Sequence, residues 1–258
     1  MSYLGKHAEH YDLFYRDKPY REEAQYTSGL IRIRKAEALT VLDLGCGTGV
    51  RCLELARLGY RVCGLDQSAD MLAMARQHCL RASDFSQAAI RFLEGDITAF
   101  VAEEGFDAVI SLFHVFSYLT TPKALGDALS CCFHNLNPGG VLIFDYWHGP
   151  AVTQDPPAIR RKTAEDSAVR IERTSVPTLL SDNDLVELSV SLQIEEKKTR
   201  ILQKVEERYV LRYWFPEELE RQLAKIGFSA VCHYSWMTLS APTNKDWQVC
   251  TVATKATR

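Results

Sequence analysis

Apolar and polar positions change rhythm along the chain, and each change predicts a different kind of structure. Residues 3–39 are mostly polar, with aromatics interleaved at helical spacing. Tyr11, Phe14 and Tyr15 share one helical face, Pro19 breaks the period, and a second helix is expected from about Tyr20. Short apolar runs then alternate with amphipathic segments. TVLDLG, YRVCGLD, IRFLEGD, FDAVISLF and GGVLIFDYW predict strands, whereas GVRCLELARLG, ADMLAMARQHCLRA and PKALGDALSCCFHNL predict helices. A further short acidic helix is expected between IRFLEGD and FDAVISLF. Gly59 suits a helix C-terminus, and Ser68 suits an N-cap with Asp70 in the turn that follows. Near-continuous apolar strands between such helices indicate a parallel sheet covered on both faces.

From about Pro157 to Phe215 the period shortens to two. Val186, Leu188, Val190, Leu192 and Ile194 alternate with Glu187, Ser189, Ser191, Gln193 and Glu195, the pattern of a half-buried antiparallel strand. RIERTSV and ILQKVEERYVLRYWF read as its neighbours. The α/β rhythm resumes with FPEELERQLAKIGF, SAVCHYSWM and WQVCTVATK, whose two strands lack an intervening helix and should pair antiparallel at the sheet edge. The expected organisation is a helical segment at 1–40, an α/β core at 41–150 and 214–258, and an antiparallel insertion at 151–213.

Composition narrows the function. A length of 258 residues accommodates one large α/β domain with a modest addition. A net charge of -3 argues against nucleic acid or an acidic membrane as the main partner. No apolar run reaches the roughly 18 residues of a membrane span, and MSYLGKHAEHYD has no signal-type apolar run, so a cytoplasmic protein is expected. The cysteines form no C-x-x-C pair and the histidines no credible ligand set, so reduced core thiols are expected and no metal.

The chemistry concentrates at VLDLGCGTGV, residues 41–50, where a strand runs into Gly45, Gly47 and Gly49. A phosphate-cradling loop would need a lysine after its last glycine, and Val50 and Arg51 stand there instead. A dinucleotide fold wants G-x-G-x-x-G, and this loop is G-x-G-x-G, which weakens a nicotinamide oxidoreductase. A nucleoside without phosphates fits better. Asp43 would meet a cationic ligand tail, Asp66 the two ribose hydroxyls, and Asp96 an adenine amino group, all at or near the carboxyl ends of strands. Each acid has a plainer use as well: Asp43 and Asp66 can cap loop N–H groups, and Asp96 a helix after Ile97. Gln67 reaches the ribose or faces solvent, and Met71 packs on adenine or in the core.

VLDLGCGTG, VCGLDQSADMLAMAR, FLEGDI, FDAVISLF and LNPGGVLIFD, in this order over residues 41–145, resemble the successive motifs of class I S-adenosylmethionine-dependent methyltransferases. The resemblance implies a Rossmann-like seven-stranded sheet with its last strand antiparallel, and S-adenosylmethionine as cofactor. It implies cofactor contacts at Tyr11, Tyr20, Cys46, Thr48, Gly95, Ile97, Leu112 and Phe113, beside those already named. SYLGKHAEHYDLFYRDKPYREEA and SLFHVFSYLTT are further similar to sugar-modifying members, especially nucleotide-linked amino-sugar N-methyltransferases, and FDYWHGPAV resembles relatives from polysaccharide pathways. In that reading residues 1–40 form a lid with Tyr3 and Tyr11 over the site, and Tyr118, His114 and Tyr3 are the catalytic candidates. His114 and Tyr118 have the plainer reading of polar residues at a helix start, His114 more so, and Trp147 and His148 would line an acceptor pocket. The expected reaction is N- or O-methylation of a small, sugar-linked acceptor, mainly by proximity and orientation. The insertion would cover the substrate side or supply a subunit contact, which leaves a homodimer open.

Overall fold

A computed structural model of the chain describes residues 8–256, apart from 83, 85, 87, 88, 181 and 182. Two helices, α1 (Ala8–Tyr15) and α2 (Tyr20–Arg34), precede the first strand. The core follows as β1 (Thr40–Leu44), α3 (Val50–Arg57), β2 (Arg61–Asp66), α4 (Ala69–Arg81), β3 (Ile90–Glu94), β4 (Phe106–Ser111), α5 (Pro122–Asn135) and β5 (Leu136–Trp147). After a short helix α6 (Gly149–Gln154) come β6 (Arg160–Glu165), β7 (Val169–Leu180), β8 (Leu185–Glu196) and β9 (Leu202–Arg212). The chain closes with α7 (Pro216–Ile226), β10 (Phe228–Ser235) and β11 (Gln248–Lys255).

Seven strands form one sheet in the order β10-β11-β5-β4-β1-β2-β3. β11 runs antiparallel to both β5 and β10, and β10 takes the edge, as the missing helix between them implies. The side-chain period of two sorts β1 cleanly between the faces. Val41 packs with Leu30, Ile31 and Leu55 from α2 and α3, whereas Leu42 and Leu44 pack with Leu125, Leu129, Leu219 and Leu223 from α5 and α7. Asp43, two residues on from Val41, therefore points into the layer that holds α3. That placement decides its partner.

β6 to β9 form a separate four-stranded antiparallel sheet in sequence order. Val186, Val190, Leu192 and Ile194 are all buried, which satisfies the alternation in β8. Leu192, Ile194 and Ile171 meet Phe14 of α1 and Met71 of α4 in one small cluster. Burying each such side chain contributes about 1.5–3 kcal/mol. One expected element is absent. The acidic segment after β3 is a turn, because the Asp96 carboxylate accepts from both the N–H (2.8 Å) and the hydroxyl (2.8 Å) of Thr98 and closes a local ring in place of a helical start.

Candidate active site

The strand ends and the inserted sheet enclose a cavity of about 820 Å³. Its floor is the glycine loop. Gly45, Gly47 and Gly49 all have positive φ (72°, 56° and 74°), a region L-residues with side chains avoid. The three differ in what they face. A Cβ on Gly47 would meet nothing within 4 Å, so this residue opens to the cavity, whereas a Cβ on Gly49 would lie 2.8 Å from Ala75 and Phe92. Gly49 thus permits α3 to sit against α4 and β3 and does not line the cavity.

Asp66 ends β2 and is tied to the loop: Gly47 N–H donates to one carboxylate oxygen (2.9 Å) and Ser68 N–H to the other (2.9 Å). Burial raises its pKa, and the bonds from Ser68, Gly47 and Gln67 oppose that rise. A carboxylate offers about four acceptor sites, so with these three bonds made it keeps capacity for a hydroxyl donor from the cavity side. Ser68 caps α4 by accepting from Met71 N–H (3.3 Å), which sets Met71 on the cavity wall. Cys46, Thr48, Gln67, Gly95, Asp96, Ile97, Leu112 and Phe113 line the same space, with Tyr11 and Tyr20 from the N-terminal helices. Tyr3 lies outside the described residues.

Asp43 is absent from the cavity wall. It is fully buried, and Arg51 from the first turn of α3 reaches it at 3.2 Å, itself 5% exposed. Cys52 donates its thiol to the other oxygen at 3.5 Å. Burial pushes the Asp43 carboxyl up and the guanidinium pulls it back. The charge that sequence reasoning assigned to a ligand is met from within. His148 is a second correction: it is 3% exposed, and its Nδ1 lies 3.0 Å from the carbonyl of Asp246, so it is absent from the cavity wall that Trp147 joins.

The N-terminal helices are fastened to the loop. Asp12 accepts from the Thr48 hydroxyl (2.7 Å) and lies 3.1 Å from Nε2 of His78, while His78 Nδ1 contacts the Thr48 carbonyl (2.9 Å). The bond to Asp12 raises the His78 pKa. Lys18, in the turn between α1 and α2, pairs with Glu23 of α2 and lies 4.9 Å over the Phe113 ring, so this turn also touches the wall beyond β4.

On that wall stand the catalytic candidates. Phe113 and His114 both have positive φ (76° and 63°), a costly pair of conformations for residues with side chains. His114 N–H donates to Asp145 (3.0 Å), a buried carboxylate of β5 that also accepts from Gln248 (2.6 Å). Tyr118 is 36% exposed, toward the cavity, with its ring edge-on to Tyr209 of β9 at 6.4 Å. Burial of part of the ring raises the pKa of its phenol, which favours the protonated form. Sequence reasoning missed Arg51, Asp145, and the residues of the insertion that complete the cavity: Arg160, Arg173, Ser175 and Tyr209. A period-two face supplies the last four, but the polar members of that face carry no apolar signal.

An open sheet with a glycine loop after β1, acids after β2 and β3 and no phosphate-binding lysine defines a nucleoside-binding methyltransferase fold. Residues 41–140 match the family model described as "Methyltransferase domain". Over those residues the chain is similar to the class I S-adenosylmethionine-dependent methyltransferases, and its sheet has their fold. It is 36% identical over 155 residues to the dTDP-3-amino-3,4,6-trideoxy-alpha-D-glucopyranose N,N-dimethyltransferase of Streptomyces venezuelae, over 59% of this chain and 62% of that one. It is 31% identical over 175 residues to the dTDP-3-amino-3,6-dideoxy-alpha-D-glucopyranose N,N-dimethyltransferase of Streptomyces fradiae, over 67% of this chain and 65% of that one. The matches thus span a little under two thirds of these relatives' own lengths. The crystal structure of Streptomyces venezuelae DesVI superposes with a TM-score of 0.79 at 25% identity, over 96% of this chain and 98% of that one. S-adenosylmethionine is the cofactor of the family. The cavity residues fit it, with an open glycine at the loop and a bonded carboxylate at the end of β2.

Proposed function

We propose that this chain transfers the methyl group of S-adenosylmethionine to a sugar linked to a nucleotide or to polysaccharide assembly. The observation that carries this reading is the composition of the cavity roof. β6 and β7 pair Arg160 with Ser175 across the strands, and Arg173 lies on the same face two residues before. All three line the cavity, with Tyr209, Trp147 and Trp247 around them. Cationic and aromatic groups over a nucleoside-sized space suit an acceptor with phosphoryl oxygens and flat or ring-shaped parts. Sugar nucleotides have that character, and the relatives named above act on dTDP-linked amino sugars.

The residues present would divide the work as follows. Asp66 would hold the ribose hydroxyls, Asp96 the adenine amino group, and Gly47 would admit the ligand close to the backbone. The donor supplies an electrophilic methyl carbon whose leaving group is a neutral thioether. Residues 8–34 would act as a lid, and the insertion would seat the acceptor and exclude water. Holding nucleophile and methyl carbon in line accounts for most of the rate gain in such a displacement. Incubating the protein with the donor and a panel of nucleotide sugars, then weighing the products, tests the reading. A mass increase of one or two methyl groups on a sugar nucleotide is expected; turnover confined to acceptors without sugar would refute it.

A further inference from the structure

The wall beyond β4 contains a carboxylate and an imidazole in one arrangement. His114 is the second of two consecutive residues in the left-handed region, which places its ring beside β5 and not along the chain direction. Its backbone N–H donates to one oxygen of Asp145, and its Nδ1 lies 3.2 Å from the other oxygen. That second oxygen accepts from Gln248 at 2.6 Å, which fixes the carboxylate plane from β11. The ring stands between Phe113, stacked at 5.8 Å, and Trp147, edge-on at 6.3 Å. Nδ1 is buried 3.2 Å from Asp145 without an aligned hydrogen bond to it, the side chain is 23% exposed, and the exposed part borders the cavity. Nε2 is therefore the nitrogen turned to the space where an acceptor would lie.

We propose that His114 is the proton acceptor for the attacking group, and that Asp145 is the positioning residue that holds it. This rests on the methyl-transfer reading above. As the acceptor's hydroxyl or amine forms its bond to the methyl carbon, the carbon–sulfur bond breaks and its electron pair stays on sulfur. The proton released by the acceptor passes to Nε2, and the resulting imidazolium faces the Asp145 carboxylate. Tyr118 suits this part less well, since burial favours the protonated form of its phenol. Burial keeps the resting imidazole neutral, against the pull of Asp145 from β5; Lys18, ahead of α2, pushes the same way as burial, and Glu23 of α2 opposes it.

The test uses the full chain in two independent readouts. First, imidazole nitrogen NMR on protein without donor or acceptor reads the tautomer: neutral His114 should carry its proton on Nδ1, and Asp145→Asn should abolish that preference. A wild-type ring protonated on Nε2 would overturn the proposal. Second, with the acceptor found in the product screen, His114→Gln should lower kcat by about 10²–10⁴-fold, with KM and S-adenosylhomocysteine binding little changed. The acidic limb of kcat/KM should disappear with it. Activity within a few-fold of wild type, or an acidic limb that persists, would also overturn it, since a surviving limb belongs to the acceptor's own amine. If no sugar nucleotide is methylated by the wild-type protein, the acceptor reading fails, while the tautomer still decides the His114–Asp145 pair.

Discussion

Replacing Arg51 by methionine gives a direct measure of how the glycine loop is anchored. Met keeps the aliphatic stem between β1 and α3 and removes the guanidinium, so most of the loss comes from the charge and its hydrogen bonds. Asp43 is fully buried and its partner 5% exposed, at 3.2 Å. Removing one member of a buried pair strands the other and costs about 3–5 kcal/mol. The orphan can shed the cost by taking a proton. Burial already raises its pKa, and without the guanidinium that rise grows. The folded state then binds more protons than the unfolded state between the two pKa values, so the variant's stability falls as pH rises through that window. Urea unfolding at pH 5, 6, 7 and 8 is the assay, with stability read from the midpoint and slope. The expected deficit is largest at pH 7–8 and shrinks toward pH 5, and Asp43→Asn in the same chain should remove most of its pH dependence. A deficit under about 1 kcal/mol at pH 7, or one that grows toward acid, would refute the pairing argument.

Other outcomes follow from the same geometry. Asp66→Ala should weaken S-adenosylhomocysteine binding by about 1.5–3 kcal/mol per lost charged hydrogen bond, and NAD should give no heat in the same calorimeter; undiminished affinity would place the ribose elsewhere. Gly49→Ala, which forces a Cβ to 2.8 Å from Ala75 and Phe92 at positive φ, should destabilise the fold more than Gly47→Ala, where that space is open; thermal melts of the two compare them directly. Arg173→Ala should raise KM for a phosphate-bearing acceptor and leave donor-product affinity nearly unchanged, as initial-rate kinetics and calorimetry would show. His78 has a raised folded pKa because Asp12 favours its cation, so its contribution to holding α1 is full below the unfolded value and fades as pH rises through the folded one. Hydrogen exchange in α1, corrected for intrinsic rates, should therefore speed up above neutral pH, and His78→Gln should remove that dependence.

The fold was legible where one property repeats. Apolar runs in β1, β2, β4 and β5 and the strict alternation in β8 each mark buried faces, and a face must be buried against something. The cavity wall was legible where the backbone itself is unusual, at Gly45 and Gly47, where an acid ends a strand, and through the resemblance, which named Tyr11, Tyr20, His114 and Tyr118. Arg51 looks in sequence like any charged residue on a helix surface. Only the orientation of Asp43 toward α3 makes it a core residue. Asp145 and His114 are brought together by adjacent parallel strands, a pairing that no local spacing encodes. β6 reads RRKTAE, which has almost no apolar content, so neither the strand nor its cationic contribution to the roof stands out. The acidic helix failed because the Asp96–Thr98 ring is a strictly local alternative that helix period does not weigh.

The shared cluster of Phe14, Met71, Ile171, Leu192 and Ile194 bears on how such a protein can diversify. Residues from the first helix, from the helix that follows Asp66, and from the inserted sheet all fill one volume. The insertion is therefore no exchangeable cassette. Grafting a foreign insertion to change the acceptor would remove neighbours from Met71 and from α1, and donor affinity would drop along with the old specificity. New acceptors are reached more cheaply by exchanging the roof's inward polar residues one at a time, with the aliphatic row of β8 left in place.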